Sequence, residues 1–250
     1  MSVLIFDTET TDRNDGEVIE AAYLVMRDCD DLLGSAPDRI PHPLAFRERF
    51  CQRYRPSKPM TYGSLAVHHI LPSELEECPP SSSFELPPGA TYLVGHNIDF
   101  DWKAIGSPSI KRICTLALAQ HTWPEIEGYS QVALIYRLLG PTASTRDAVR
   151  GAHGALADVH LNLALLDEIL ALQPAITTWS ALHAFSEQCR VPIYCPLKRW
   201  DGIKLEDMDD SSIRWCLRQD FIDPYFRLGL ERVMAARYPM YTPAAGASAY

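Results

Sequence analysis

Two acidic residues, Asp7 and Glu9, stand near the start of the chain in the segment FDTET. They follow the apolar run Val3 to Phe6, whose β-branched and aromatic residues are typical of a buried strand. Because strand side chains alternate between two faces, both carboxylates would point to the same side. Two carboxylates in that position can bind one or two hard divalent cations. A single pair of this kind is also common at strand ends where both acids are only solvated.

A second acidic segment, HNIDFD, follows the predicted buried strand Tyr92 to Gly95 and contains Asp99 and Asp101. Both acids would lie at the start of a helix. Acidic side chains are favoured there because they cap free backbone N–H groups and face the positive end of the helix dipole. One of the two acids could therefore be a helix cap instead of a functional group, and the local pattern does not decide between them.

A third segment, HGALAD, runs from His153 to Asp158 and opens the clearest predicted helix, Leu156 to Leu172. Its apolar residues recur at three- and four-residue spacing, which indicates a packed helix face. Asp158 lies at the edge of that face, where an unpaired carboxylate is costly, so a metal ion or a basic partner is expected. His153 stands in a loop beside glycine and is suited to proton transfer, although an isolated loop histidine is more often simply exposed.

Taken in this order, the three segments resemble the motifs of the DEDD exonuclease superfamily, histidine subclass (DEDDh). FDTET corresponds to the family segment with the first two acids, HNIDFD to the third acid, and HGALAD to the histidine and the fourth acid. The family motif HNxxFD assigns Asp101 as the ligand and leaves Asp99 as a cap or a supporting group. Further similarity to enzymes of the exodeoxyribonuclease X group, at Pro59 to Ile70, Ile113 to Pro124 and Leu197 to Lys204, extends the resemblance over nearly the whole chain.

The resemblance implies a 3′→5′ exonuclease that hydrolyses DNA from a free 3′ end to nucleoside 5′-monophosphates. It also implies two Mg²⁺ or Mn²⁺ ions, with His153 as the general base that takes a proton from the attacking water. The metal ligands implied are Asp7, Glu9, Asp101 and Asp158. The residues expected near the terminal nucleotide are Thr8, Thr10, His68 and Asn97.

One departure from the family pattern concerns the substrate. Arg13 stands about where exodeoxyribonuclease X enzymes carry an apolar wedge that meets duplex ends. The sequence therefore leaves open whether duplex ends are processed in addition to single strands and 3′ overhangs. Two other functions remain as alternatives: an RNA exonuclease of the oligoribonuclease or RNase T type, and a non-catalytic scaffold that binds nucleic acid or protein.

The order of predicted elements, with early strands followed by alternating strands and helices, favours an α/β fold. The resemblance narrows this to an RNase H-like mixed β-sheet flanked by helices. Residues 1–173 are predicted to form the exonuclease domain and residues 174–250 a small C-terminal α+β module. In that module a hairpin is expected over Ile193 to Leu205, around the turn dipeptide Asp201-Gly202.

The composition limits both the partners and the compartment. A formal net charge of −9 excludes a protein that coats nucleic acid through bulk positive charge. It does not exclude a nuclease, since bound divalent cations offset the carboxylates that hold them. The 7 cysteines form no CxxC pair, which suits a reducing cytosol. No apolar run could span a membrane and no signal peptide is evident, so a cytoplasmic protein is expected; a homodimer is left open because several relatives dimerise.

Overall fold

The computed structural model describes residues 2–27, 38–150 and 152–240 of the chain. The chain divides into two compact units, Met1–Ser186 and Glu187–Tyr250. This division falls later than the predicted boundary after residue 173.

Two hydrogen bonds explain why residues 174–186 belong to the first unit. The N–H of Trp179 donates to Asp38 O at 2.8 Å. The hydroxyl of Ser186 accepts the N–H of Cys114 at 2.9 Å. The change of rhythm after Gln173-Pro174, on which the predicted boundary depends, marks the end of a helix and not the end of the first unit.

The first unit is built on one mixed five-stranded sheet with the order β3-β2-β1-β4-β5. Its strands are β1 (Ser2–Thr10), β2 (Val18–Met26), β3 (Phe46–Arg53), β4 (Ala90–Gly95) and β5 (Lys111–Cys114). The first strand pairs antiparallel with β2 and parallel with β4, so it is flanked on both edges. This central position explains the apolar run before Asp7, because both faces of the strand are covered. The predicted mixed sheet flanked by helices is confirmed.

The helices follow the predicted pattern with one addition. They are α1 (Tyr62–His68), α2 (Asp99–Ala104), α3 (Thr115–Thr122), α4 (Gln131–Leu139), α5 (Ala143–Val149), α6 (Ala155–Ala171), α7 (Trp179–Cys189), α8 (Asp210–Leu217) and α9 (Pro224–Arg237). Helix α5 has no predicted counterpart, because its sequence ASTRDAV lacks an apolar stripe and it depends on the cap from Thr142 to the N–H of Thr145. None of the described helices is long and apolar enough to cross a membrane.

Helix α6 packs against β1 and β2 and carries the third acidic segment. Its fully buried aliphatic residues include Val159, Leu165, Leu166 and Ile169. Burial of one such side chain contributes about 1.5–3 kcal/mol relative to exposure. This packing fixes the rotation of the helix about its axis, and Asp158, in its first turn, is thereby held at the edge of the interface with the sheet.

Gly95 ends β4 at the point where the chain turns into the second acidic segment. A Cβ atom at this position would stand 2.9 Å from Phe6 O and 2.6 Å from Ile98 Cδ1. Any side chain here would push the end of β4 away from the end of β1, just before Asp7. The glycine therefore permits the close backbone approach that brings the first and second acidic segments together.

The second unit contains α8, α9 and the end of α7 around a small apolar core. Its buried members are Cys195, Leu205, Met208, Ile213, Cys216, Ile222, Phe226, Leu230 and Met234. The predicted hairpin is reduced to one isolated antiparallel bridge between Tyr194 and Lys204. Pro196 has no N–H to donate, and Lys198–Trp200 forms a 3-10 turn where the strands would continue. The described residues of this unit contain no strand, so the α+β prediction for it is wrong.

Candidate active site

The carboxylates of the first and third acidic segments converge at the end of the central strand. Asp7 and Glu9 lie on β1, and Asp158 lies in the first turn of α6. One carboxylate oxygen from each of the three residues lies within 4.8 Å of the other two. Within residues 2–27, 38–150 and 152–240, this is the only cluster of three or more potential ligands so placed. Oxygen ligands of this kind bind hard divalent cations such as Mg²⁺ and Mn²⁺.

Asp101 lies beside this cluster but is oriented by a different set of contacts. Its side chain is only 3% exposed. Thr8 donates to Asp101 Oδ1 twice, through its backbone N–H at 2.8 Å and its hydroxyl at 2.7 Å. The charge of Asp101 raises the pKa of Asp7, which places the two carboxylates within electrostatic reach of each other. Thr8 therefore couples the second acidic segment to the strand that carries the first.

Asp99 is placed differently from Asp101, although only one residue separates them. Its carboxylate accepts a hydrogen bond from Arg112 Nη1 at 2.6 Å, and 34% of its side chain is exposed. The guanidinium of Arg112 in turn lies 3.9 Å from the centre of the Trp102 ring. The structure thus gives Asp99 a cationic partner outside the carboxylate cluster and leaves Asp101 beside the cluster.

Burial raises the pKa of each carboxyl group in the site, and repulsion between the carboxylates adds to this effect at Asp7, Glu9 and Asp101. Burial raises the pKa of Asp7 well above its usual range, and the charge of Asp101 adds to this effect. Burial, reinforced by the charge of Asp158, raises the pKa of Glu9 to about 9. Burial raises the pKa of Asp101 to about 7 against the hydrogen bonds from Thr8, and it also raises the pKa of Asp158.

No ion pair among the described residues compensates these buried carboxylates. The ion pairs between basic side chains and acids leave out Asp7, Glu9, Asp101 and Asp158. Several carboxylates in one buried site cannot all ionise unless positive charge is added. A bound divalent cation supplies that charge and favours the ionised forms. The donor set therefore fits a divalent metal centre.

The backbone of His153 is hydrogen-bonded to one of the clustered carboxylates. Its φ angle of 70° lies in the left-handed region. Its N–H donates to Asp158 Oδ2 at 3.2 Å, and the side chain is exposed. This hydrogen bond keeps the histidine next to one of the clustered carboxylates, and it opposes the effect of burial on the pKa of Asp158.

Glu20 is a further acid at the site that the sequence analysis missed. It stands opposite Glu9 in the antiparallel pairing of β1 and β2 and is 7% exposed. Its Oε2 accepts the N–H of Ala155, the first residue of α6, at 2.9 Å, while its Oε1 accepts from Arg53 Nε at 3.0 Å. A charged residue inside the otherwise apolar run Val18–Met26 was the available sequence signal. Glu20 thus anchors the N-terminus of the helix that carries Asp158.

Comparison with known proteins identifies proteins that are similar to the chain. No protein-family model matches the chain. Two curated proteins named exodeoxyribonuclease 10, from Escherichia coli strains K12 and CFT073, are each 28% identical over 188 residues, which is 72% of this chain and 82% of theirs. Among solved structures, exonuclease X in complex with 5′ overhanging duplex DNA matches with a TM-score of 0.54 and 24% identity, over 72% of this chain and 99% of that chain. The chain is therefore similar in sequence to exodeoxyribonuclease 10 and similar in fold to exonuclease X. Exonuclease I of E. coli, in complex with a dA16 oligonucleotide, shares the fold with a TM-score of 0.50 and 16% identity, over 78% of this chain and 46% of that chain.

The two threonines predicted to meet the terminal nucleotide, Thr8 and Thr10, are buried. The hydroxyl of Thr8 donates to Asp101 Oδ1, and the hydroxyl of Thr10 donates to Asp12 O at 2.8 Å. Both hydroxyls therefore have protein acceptors. Asn97 is exposed at the turn after β4, with a φ angle of 65° that asparagine tolerates better than most residues. A contact between Asn97 and the nucleotide stays a prediction.

His68 is also buried, and one of its ring nitrogens has no hydrogen-bond partner among the described residues. Its Nδ1 accepts the N–H of Ile70 at 2.9 Å, and burial lowers the pKa of the ring. A neutral ring that accepts through Nδ1 carries its proton on Nε2. That Nε2 has no hydrogen-bond partner within the described residues. His68 therefore carries a buried N–H donor without an acceptor among the described residues, and a contact between His68 and the nucleotide stays a prediction.

We expect Glu20→Gln to weaken metal binding by roughly 10–100-fold, the range seen when groups that support metal ligands are changed. The amide keeps the shape of the side chain but loses the charge that faces the N-terminus of α6 and Arg53. Mn²⁺ affinity measured by calorimetry is the readout. Glu74→Gln is the matched control, because Glu74 also binds Arg53, at 2.9 Å, without contacting α6. An equal loss in both variants would contradict a role for Glu20 through the helix.

Proposed function

We propose that the chain is a 3′→5′ exonuclease that releases nucleoside 5′-monophosphates from a free 3′ end of DNA. The observation that carries the proposal is the cluster of Asp7, Glu9 and Asp158, which no ion pair of the described residues compensates, with the buried Asp101 beside it. A group of this kind binds divalent cations, which neutralise the phosphodiester and its transition state. The similarity to proteins named exodeoxyribonuclease 10 and to exonuclease X bound to duplex DNA supports DNA as the substrate.

The proposed metal ligands are Asp7, Glu9, Asp101 and Asp158, with two Mg²⁺ or Mn²⁺ ions as the cofactor. When bound, these ions acidify the attacking water and stabilise the charge that develops on the leaving 3′-oxygen. His153 accepts the proton of that water on an imidazole nitrogen, a role supported by its exposed side chain and by the closeness of its backbone to Asp158. Asp158 keeps the histidine in place through the backbone hydrogen bond between them.

We expect His153→Ala to lower kcat by about 10²–10⁴-fold, which is the usual contribution of a general base. Release of the terminal nucleotide from a 3′-labelled oligonucleotide in saturating Mg²⁺ measures this. Mn²⁺ affinity should change little, because the side chain of His153 is not among the proposed ligands. His121→Ala, a change at an exposed histidine on α3, serves as the matched control and should keep the wild-type rate. Loss of Mn²⁺ binding in His153→Ala would argue against a separate proton-transfer role.

The nucleic acid that is cleaved is tested by comparing matched substrates. Single-stranded DNA, duplex DNA with a 3′ overhang and an RNA of the same sequence are each incubated with Mg²⁺ and with EDTA. Faster release of deoxynucleoside monophosphates from DNA, only with Mg²⁺, is the expected result. Faster hydrolysis of the RNA would favour the alternative of an oligoribonuclease-type enzyme. No hydrolysis of any substrate, together with weak Mn²⁺ binding, would favour the non-catalytic scaffold.

We propose that the enzyme prefers single-stranded DNA, because the loop between β1 and β2 carries Arg13 where an apolar wedge would be needed to open a duplex. Arg13 in this loop and Lys103 on α2 line the same small recess beside Thr10. Asp12 and Asp15 line the recess as well, so it is polar and of mixed charge, whereas opening a duplex end requires an apolar wedge between bases. A lower rate on blunt duplex DNA than on single-stranded DNA is the expected outcome. Homodimer formation and a cytoplasmic location stay predictions.

A further inference from the structure

Three aromatic rings form a row at the surface of the second unit. The centres of the Trp200 and Trp215 rings are 5.6 Å apart, with planes inclined at 53°. The centres of the Trp215 and Phe221 rings are 6.3 Å apart, with planes inclined at 62°. Trp215 is 37% exposed and Phe221 is 65% exposed, whereas Trp200 is half-buried. We call these three residues the aromatic row.

The aromatic row is held by elements that are themselves anchored in the apolar core of the unit. Trp200 ends the 3-10 turn Lys198–Trp200 and packs against that core. Trp215 lies on α8, which buries Ile213 on its inner side. Phe221 follows in the short connection from α8 to α9. The rings therefore occupy defined positions while two of them leave much of their surface to solvent, although burial of a ring of this size would contribute about 1.5–3 kcal/mol to folding.

Cationic side chains without ion-pair partners accompany the aromatic row. The guanidinium of Arg199 lies 5.0 Å from the centre of the Trp200 ring. Lys198 precedes it in the same turn, and Arg218 follows α8; all three are exposed. None of them forms an ion pair in the part of the chain that the structure describes. Basic groups next to exposed rings match a ligand that offers both flat bases and phosphates.

We propose that the aromatic row binds single-stranded nucleic acid, with bases stacked on Trp215 and Phe221 and phosphates near Lys198 and Arg199. The inference rests on the proposed function in one respect, because an exonuclease must hold a strand whose 3′ end it shortens. Tryptophan and arginine are also frequent in protein interfaces, but lysine is depleted there. The exposed Lys198 beside the row therefore favours a polyanion over a protein partner. Asp201 and Asp220 are acidic neighbours in the chain and offset part of the positive charge. Base stacking should therefore contribute more to binding than charge does.

Binding of a fluorescein-labelled dT oligomer to the full chain in EDTA tests the proposal without cleavage. Trp215→Ala and Phe221→Ala should each weaken binding by roughly 5–150-fold. This is the loss expected when the aromatic side chain on which one base stacks is removed. Phe221→Tyr keeps the ring and should bind like wild type. Tyr194→Ala removes an exposed ring of the same unit outside the row and should also bind like wild type. An rU oligomer of equal length should show the same dependence, because every base presents a flat face.

Two results would overturn the proposal: unchanged binding in both alanine variants of the row, or an equal loss in Tyr194→Ala. Hydrolysis of thymidine 5′-(p-nitrophenyl phosphate), a small ester with no neighbouring base, reads the carboxylate site alone and should be equal in all variants. If wild type does not hydrolyse this ester while oligomer binding still depends on the rings, the exonuclease proposal fails and the binding site stands. If the ester is hydrolysed and oligomer binding does not depend on the rings, the exonuclease proposal stands and the aromatic row is not the binding site.

Discussion

Replacing Asp101 with alanine is expected to abolish the Mg²⁺-dependent release of mononucleotides, with a loss of at least about 10³-fold. Asp101 contributes one of the four carboxylates of the site, and both donors on Thr8 hold its Oδ1 in place. Without this carboxylate the site has less negative charge for divalent cations and loses the link between α2 and β1. Release of the terminal nucleotide from a 3′-labelled single strand, at several Mg²⁺ concentrations, measures the loss.

Asp99→Ala is the matched control, because it removes a carboxylate two positions away on the same helix. Asp99 pairs with Arg112 outside the cluster and is partly exposed, so its loss should change the rate by no more than a few fold. A circular dichroism melt of both variants separates loss of function from loss of fold. If Asp99→Ala abolished the activity and Asp101→Ala kept it, the assignment of the third acid would be wrong.

Part of the site is predictable from periodicity because regular elements have fixed geometry. Strand alternation alone places Asp7 and Glu9 on one face, and the structure brings both into the cluster. The apolar stripe of the long helix likewise predicts that Asp158 lies at the boundary between helix and sheet. Each of these inferences needs only the local pattern of one element, and the packing of α6 on β1 then brings the two patterns together.

The choice between Asp99 and Asp101 could not be made from local pattern, since both fit the first turn of a helix. What separates them are contacts that are distant in sequence: Thr8 lies 93 residues from Asp101, and Arg112 lies 13 residues from Asp99. The family motif assigned Asp101, and the tertiary contacts supply a physical reason for that assignment. Such contacts depend on the register of β4 against β1, which a single sequence does not specify.

Glu20 was missed for a related reason. A buried acid in an apolar strand is visible in the sequence, but its role depends on which backbone group it meets. That group, the N–H of Ala155, lies 135 residues away at the start of α6. The hairpin predicted around Asp201-Gly202 failed differently, because a strong turn signal does not ensure that the flanking residues pair. Pro196 and a 3-10 turn limit the pairing to one bridge.

The clustered carboxylates that suit the site to cations repel one another and destabilise the fold when no cation is bound. Glu9 has a pKa of about 9 in the folded chain against its ordinary value of 4.5. Between these two pH values the folded protein binds more protons than the unfolded protein. The stability of the metal-free protein must therefore fall as the pH rises through this window, to the extent that Glu9 contributes. Metal binding requires the ionised form, so metal affinity should rise over the same range.

Glu9→Gln is accordingly expected to abolish activity and, in the absence of metal, to stabilise the fold. The amide cannot ionise, so the variant avoids the cost of a buried charge beside Asp158. The proposed metal site loses a ligand, so the rate falls by at least about 10³-fold. At pH 8 in EDTA, its melting temperature should exceed that of wild type by roughly 2–4 °C, and the difference should shrink toward pH 5. Saturating Mg²⁺ should reverse the order, because it stabilises the wild-type fold by binding to it.

Glu77→Gln, at an exposed glutamate, is the control and should change neither the activity nor the melting temperature. A variant less stable than wild type at pH 8 without metal would show that Glu9 is not under electrostatic strain in the folded chain.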